Sequence, residues 1–328
     1  MRVLMAGSLI VPFDEIEAAF EAQYPHVDLL MEGHGSIQCV RIVSELHELA
    51  DVIVTADHAL IPLLMYEMKN PDTGEPYADW YAAFATNKLT LAYTDQSARA
   101  DEITAQNWYA VVNEPDVRLG VPDPRFDAAG YRGLMAFQLA ELHYDSPIIF
   151  DNFTMGRFRY PFNTTQEGDD GRWIIHVPEI VEPKPDSGLI VRGGSIQLIA
   201  LLESGDVDYA FEYESVSQQH GFRYVPLPDT VNLGNEAMAP LYESVEVRLD
   251  FQRFTSVEPH FPGEPIGYGV TIPSSAPHPE MAAEFVAFLL GAEGKAILEA
   301  NHHPTLESCR GHDLTNAPAP VQELCVAE

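Results

Sequence analysis

Short apolar runs alternate with amphipathic stretches of helical period along most of this chain, and that alternation predicts an α/β architecture with parallel strands. Arg2–Met5 reads as a strand and Phe13–Gln23 as a helix, with Ile16 and Phe20 on one face and Asp14, Glu15 and Glu17 in its first turn. Val27–Met31 is the next predicted strand and Ser36–His47 the next helix. The β-branched run of Asp51–Thr55 marks a buried strand, and Ala59–Met68 closes the unit as a helix.

The alternating segment Asn87–Thr94 is a candidate hinge that opens a second unit. There, Leu119–Pro122 is a strand end and Ala129–Tyr144 a long helix with Leu134, Phe137, Leu139, Ala140 and Leu142 as its stripe. Gly194–Glu203 is a helix opened by Ser195, and Asp208–Tyr213 is a strand. Between these, Asp151–Pro185 is rich in Gly, Pro and charge and reads as an irregular outer elaboration. After Phe222–Pro226 the chain is expected to return to the first lobe through the strand Gly267–Pro273 and the helices His278–Leu290 and Ala292–Asn301. The expected lobes are residues 1–93 with 237–306, and residues 94–236. Residues 307–328, where the pattern dissolves, are expected as a partly disordered tail.

Composition narrows the class of function. With 328 residues, 46% of them hydrophobic, the chain can bury the cores of two lobes. Its 18 basic and 50 acidic residues give a formal charge of -32, which argues against nucleic acid or an anionic membrane as partner. The same excess also reads simply as a solvated surface in a salty milieu. No window approaches the ~20 apolar residues of a membrane span. Met1–Phe13 is too short and too interrupted for a leader, so an exported form would carry its leader outside these residues. Cys39 falls in an apolar helical pattern and reads as a small buried residue; Cys309 and Cys325 can bridge in an exported protein, and the spacing alone does not decide it. Two sequons, at Asn152 and Asn163, are compatible with an extracellular protein.

Two apolar strands each run into a Gly-Ser pair at a helix start: Gly7-Ser8, and Gly35-Ser36. The free first-turn amides, the helix dipole and a serine hydroxyl together favour an oxyanion without Lys or Arg. A third seat lies at Asp127-Ala128-Ala129-Gly130-Tyr131-Arg132, where Asp127 reads equally as a simple helix cap. A fourth is the strand end Asp208-Tyr209-Ala210-Phe211-Glu212-Tyr213-Glu214-Ser215, whose carboxylates taken in isolation read as solvated rim residues. Ligands of open α/β sheets bind beyond the carboxyl ends of the strands, and four such ends are expected to face one cleft.

These runs, with Ala50-Asp51-Val52 to Leu60-Ile61-Pro62 and Gln219-His220, resemble in order and spacing the archaeal-type tungstate/molybdate-binding proteins of ABC importers, over residues 2–306. The resemblance implies a type II periplasmic-binding-protein fold: two α/β lobes, a ligand cleft and crossing hinge strands. It implies an extracellular, surface-anchored monomer that captures tungstate or molybdate, needs no cofactor, catalyses nothing and delivers its cargo to a membrane permease. It further implies that Gly7, Ser8, Gly35, Ser36 and the amide of Ala129 bind the oxo groups. Tyr213 is implied near the ligand, and Asp127 and Glu212 reach the metal centre. The family's Asp-Pro-Cys-Gly-Tyr-Arg is here Asp-Ala-Ala-Gly-Tyr-Arg, which keeps the carboxylate and the glycine.

Carboxylates beside a dianion repel it by several kcal/mol at about 4 Å in a partly buried site. Hexavalent tungsten or molybdenum reverses that sign, because a large, hard Lewis acid accepts two carboxylate oxygens and expands from four- to six-coordinate. Sulfur and phosphorus do so poorly, so the same carboxylates would turn sulfate and phosphate away. A receptor for one of those anions is the alternative of the same class. An enzyme on this fold would need an activated nucleophile or an acid/base pair in the cleft. Only His34 lies beside a seat, and His302-His303 reads as an exposed pair at a helix end.

Overall fold

The parallel strands that the alternation predicts lie side by side at one side of the main sheet of each of two units in the computed structural model, which describes residues 1–168, 171–251 and 259–328. Met1–Thr86 and Ile266–Glu328 make the first unit and Asn87–Pro265 the second. The chain therefore leaves the first unit between the consecutive strands Tyr81–Thr86 and Leu89–Tyr93, which belong to different sheets, and returns ahead of the strand Gly267–Thr271.

The first unit is built on a seven-stranded mixed sheet. Its spatial order is Cys325–Ala327, Thr305–His312, Tyr81–Thr86, Gly267–Thr271, Val52–Thr55, Arg2–Ala6 and Leu30–His34. Arg2–Ala6 pairs in parallel with both neighbours, Ala6 opposite His34 and Met5 opposite Val54. The helix after the first strand is Ile10–Gln23, three residues longer than predicted because Pro12 is tolerated in a first turn. Its Phe13 and Phe20 meet Phe285 edge to face at 6.4 and 5.3 Å. The second helix stops at Ser44. The helix predicted over Ala59–Met68 is present in shortened form over residues 60–66, and its stretch Pro62–Tyr66 is wound more widely than a regular α-helix.

Residues 307–328 are no tail. Thr305–His312 lies antiparallel to Tyr81–Thr86, and Cys309 is disulfide-bonded to Cys325, which sits opposite it on the edge strand. Val321 is fully buried.

The second unit holds a five-stranded sheet, in the order Arg223–Pro226, Leu89–Tyr93, Tyr209–Tyr213, Leu119–Pro122 and Leu189–Arg192. The last three run parallel. Trp108, Phe137 and Phe211 pack together beneath it, and Phe137 stacks on Phe153 at 4.0 Å. The segment expected to be irregular, 151–185, instead carries most of the helix Ile149–Arg157 and the strands Asn163–Glu167 and Arg172–Val177. These strands begin a four-stranded sheet completed by Val245–Leu249 and His260–Pro262. Val245–Leu249 pairs in parallel with Arg172–Val177, which keeps residues 237–265 in the second unit rather than in lobe 1. Sequence distance hid that pairing, because its partner strands lie some seventy residues apart.

Candidate functional site

In the first unit three parallel strands end side by side, and the turns beyond them carry the predicted seats. Gly7 and Ser8 form a tight turn, Gly7–Leu9, that runs directly into the helix Ile10–Gln23. Gly35 caps the helix Ser36–Ser44, and its own N–H donates to Oε1 of Gln38 at 3.2 Å. The first helical hydrogen bond runs from Cys39 N–H to Gly35 O, so the amides of Ser36 and Ile37 have no partner within the helix. Both serines are buried, at 5% exposure for Ser8 and 2% for Ser36. The oxygen of Ser36 accepts the Ala56 N–H at 2.9 Å, and that of Ser8 lies 2.8 Å from the phenol oxygen of Tyr268.

Behind Tyr268 stands His303, which the sequence suggested would be exposed. It is fully buried, meets the Tyr268 ring edge to face at 4.4 Å, and has no hydrogen-bond partner on either ring nitrogen among the described residues. Burial lowers its pKa to about 3, so the imidazole is neutral.

In the second unit the three parallel strands again end on one edge. They deliver Asp123–Asp127, Gly194-Ser195 and Glu212-Tyr213. Asp127 caps the helix Ala128–Tyr144: its Oδ1 accepts the Ala129 N–H at 2.8 Å. Its Oδ2 accepts the Ser195 N–H at 3.1 Å, at the start of the helix Ile196–Ser204. The cap reading is therefore correct, and it covers only part of what the residue does. The Ala129 amide, implied as a ligand donor, is engaged by Asp127 in this structure. Gly130 is required because a Cβ there would stand 2.7 Å from both Pro122 O and Pro124 N.

Glu212 is not a rim residue. It is completely buried on a central strand, and neither carboxyl oxygen has a hydrogen-bond partner among the described residues. Desolvation raises its pKa to about 8 and the neighbouring Asp127 charge adds to the rise; the Ser195 side chain stands close enough to oppose it weakly but falls short of hydrogen-bond geometry. Desolvation also raises Asp127 to about 6, against the pull of the Ala129 and Ser195 amides and the Arg132 charge. Arg132, 2% exposed, donates through Nη1 to the hydroxyl of Tyr213 at 2.8 Å. Thr90 fixes the strand by donating to the Glu212 carbonyl at 2.9 Å.

The structure thus brings Asp127, Ala129, Glu212 and Tyr213 together in one unit, and Gly7, Ser8, Gly35 and Ser36 together in the other. Sequence reading missed the parts of Ser195, Arg132, Tyr268 and His303. The signal for Ser195 was available: Gly193-Gly194-Ser195 is a third Gly-Ser pair between a strand and a helix.

The family described as "Bacterial extracellular solute-binding protein" matches residues 1–302. A solute-binding protein of Methanoculleus marisnigri is 40% identical over 313 residues, covering 95% of this chain and 83% of that one. The molybdate/tungstate-binding protein WtpA of Thermococcus kodakarensis is 37% identical over 312 residues, covering 93% and 81%. Two solved structures share the fold at low identity. The periplasmic molybdate-binding protein of Azotobacter vinelandii has a TM-score of 0.55 at 14% identity, covering 92% of this chain and 98% of that chain. The sulfate-binding protein SubI of Mycobacterium tuberculosis has a TM-score of 0.57 at 12% identity, covering 99% and 91%.

Proposed function

The chain belongs to the bacterial extracellular solute-binding protein family, and on that premise we propose that it captures tungstate or molybdate outside the cell and delivers it to an ABC transporter permease. The family consists of binding proteins, not enzymes, and in this reading the residues described above hold a cargo.

The observation that carries the reading is Glu212: a fully buried carboxyl group without a hydrogen-bond partner among the described residues, beside a second buried carboxylate. A buried polar group left unsatisfied calls for an explanation, and ligation of an ion is one that suits a pair of carboxyl groups. Once both are ionised, a pair of carboxylates has nothing to offer sulfate, which carries no proton at neutral pH and needs donors. A hexavalent metal needs oxygen ligands, and the ion's own charge reverses the local electrostatics. In this reading Asp127 and Glu212 each give an oxygen to the metal. A carboxylate has about four lone-pair sites, so Asp127 can do so while its two amide bonds stay in place. Ser8 and Ser36 donate their hydroxyls, and their helix-start amides, to oxo groups. Tyr213, oriented by Arg132, is a further donor.

The 37% identity to a protein named for molybdate and tungstate supports this choice of cargo. The resemblance to the sulfate-binding protein speaks only to the fold. The test is isothermal titration calorimetry of the ligand-free protein with tungstate, molybdate and sulfate at fixed salt, repeated on Asp127→Asn and Glu212→Gln. Submicromolar tungstate or molybdate binding, no heat with sulfate, and weakening in both variants are expected. Tight sulfate binding, or indifference to both substitutions, would overturn the cargo and leave the family.

A further inference from the structure

We propose that Tyr268 is a positioning residue for Ser8, holding the serine hydroxyl so that its single proton is left for the bound oxyanion; the inference rests on the oxyanion reading above. A serine hydroxyl has one proton and two lone pairs. It serves an anion only if that proton is not spent on a neighbouring acceptor.

At Ser36 the problem is solved by the backbone. The Ala56 N–H can only donate, so Ser36 Oγ is the acceptor at 2.9 Å and its proton remains uncommitted by that bond. At Ser8 the corresponding neighbour is the Tyr268 hydroxyl, at 2.8 Å and in a buried setting. Of the two hydroxyls the phenol is the stronger acid, hence the better donor, and Ser8 the better acceptor. With the phenol proton directed at Ser8 Oγ, the serine is left in the same state as Ser36.

The surroundings hold the phenol in place. Tyr268 is fully buried on the strand Gly267–Thr271, with Phe84 edge to face at 6.4 Å and His303 at 4.4 Å. Neither nitrogen of His303 hydrogen-bonds to any group among the described residues, so the imidazole supplies an edge-to-face contact without drawing the phenol away from Ser8. A buried histidine in contact with the tyrosine, and offering it no hydrogen bond, is what such a support requires.

The test is a double-mutant cycle on tungstate affinity, measured by calorimetry on the wild type, Ser8→Ala, Tyr268→Phe and the double variant, with thermal melts confirming that each folds. Loss of one aligned hydrogen bond is expected to weaken binding about three- to tenfold in Tyr268→Phe. In the Ser8→Ala background the same change is expected to cost nothing further, because the serine through which Tyr268 acts is gone. A general packing role would weaken both backgrounds alike and overturn the proposal, as would unchanged affinity in Tyr268→Phe. If Tyr268→Phe fails to fold, 3-fluorotyrosine at position 268 keeps the shape while strengthening the donor. Tighter binding that depends on Ser8 is then expected, and unchanged binding overturns the proposal. A wild-type protein that binds neither tungstate, molybdate nor sulfate would instead overturn the oxyanion reading itself, so the two failures are distinguishable.

Discussion

The amide of Ser195 donates to Oδ2 of Asp127 at 3.1 Å, so that one buried carboxylate closes the start of two helices at once. Removing it leaves both the Ala129 and the Ser195 N–H without an acceptor. Asp127→Ala is expected to lower unfolding stability by roughly 1–3 kcal/mol, a lost cap plus a lost charge-assisted bond. Asp127→Asn keeps one carbonyl oxygen for Ala129 and turns an NH2 toward Ser195, so it should recover about half of that loss. Urea unfolding at pH 7 measures both. Should Asn stabilise the protein no better than Ala, the cap is not what Asp127 contributes.

Gly130 and Gly156 make opposite predictions from the same substitution. A Cβ at Gly130 meets backbone atoms of Pro122 and Pro124 at 2.7 Å, and backbone cannot swing aside as a side chain can. Gly130→Ala is expected to cost about 2 kcal/mol or more. At Gly156, inside the helix Ile149–Arg157, nothing lies within 4 Å, and Ala should stabilise by roughly 0.5–1 kcal/mol. Thermal melts of the two variants must move in opposite directions.

Local signals carried most of what sequence reading recovered. Gly7-Ser8 and Gly35-Ser36 were legible because strand, turn and helix start lie within a few residues, and Asp127 because a cap precedes its helix. Glu212 entered only through the family resemblance, since the alternation of Tyr-Ala-Phe-Glu-Tyr cannot reveal that all five residues are buried, one sheet face as well covered as the other. The edge strand Cys325–Ala327 was hidden for a related reason. It joins the sheet through Thr305–His312, whose own partner, Tyr81–Thr86, is more than 200 residues away. His303 shows the limit of residue type as a guide: two adjacent histidines at a helix end look solvated, and one of them is enclosed.

The Cys309–Cys325 disulfide closes a loop with a sequence separation of 16 and ties down an edge strand of only three residues. Chain-entropy reasoning gives about 3 kcal/mol for such a loop. The double variant Cys309→Ala/Cys325→Ala is expected to lose stability of that order in urea unfolding. The strands that carry Ser8 and Ser36 lie at the other edge of the same sheet, so tungstate affinity should be unchanged. A variant that unfolds as the wild type does, or that loses the ligand, would contradict one half of this prediction.

Glu212 and His303 bend the pH dependence of stability in opposite senses. The Glu212 pKa is raised from its ordinary value, 4.5, to about 8, so between those pH values the native state holds a proton that the unfolded chain has released. Stability from this group is full below pH 4.5, falls as pH rises, and is gone above about 8. The His303 pKa is lowered from 6.5 to about 3, so between these the unfolded chain holds the extra proton. Its contribution is full above pH 6.5 and is lost as pH falls toward 3. The two slopes oppose each other between pH 4.5 and 6.5, which leaves a window on either side where one group acts without the other. Glu212→Gln should therefore gain on the wild type as pH rises from 6.5 to 8, and His303→Phe should gain on it as pH falls from 4.5 to 3. Unfolding midpoints across pH 3 to 9 for the three proteins would show it. Parallel curves for the wild type and Glu212→Gln above pH 6.5 would mean that Glu212 is already ionised in the empty protein, and that a donor or cation absent from the arrangement described above satisfies it.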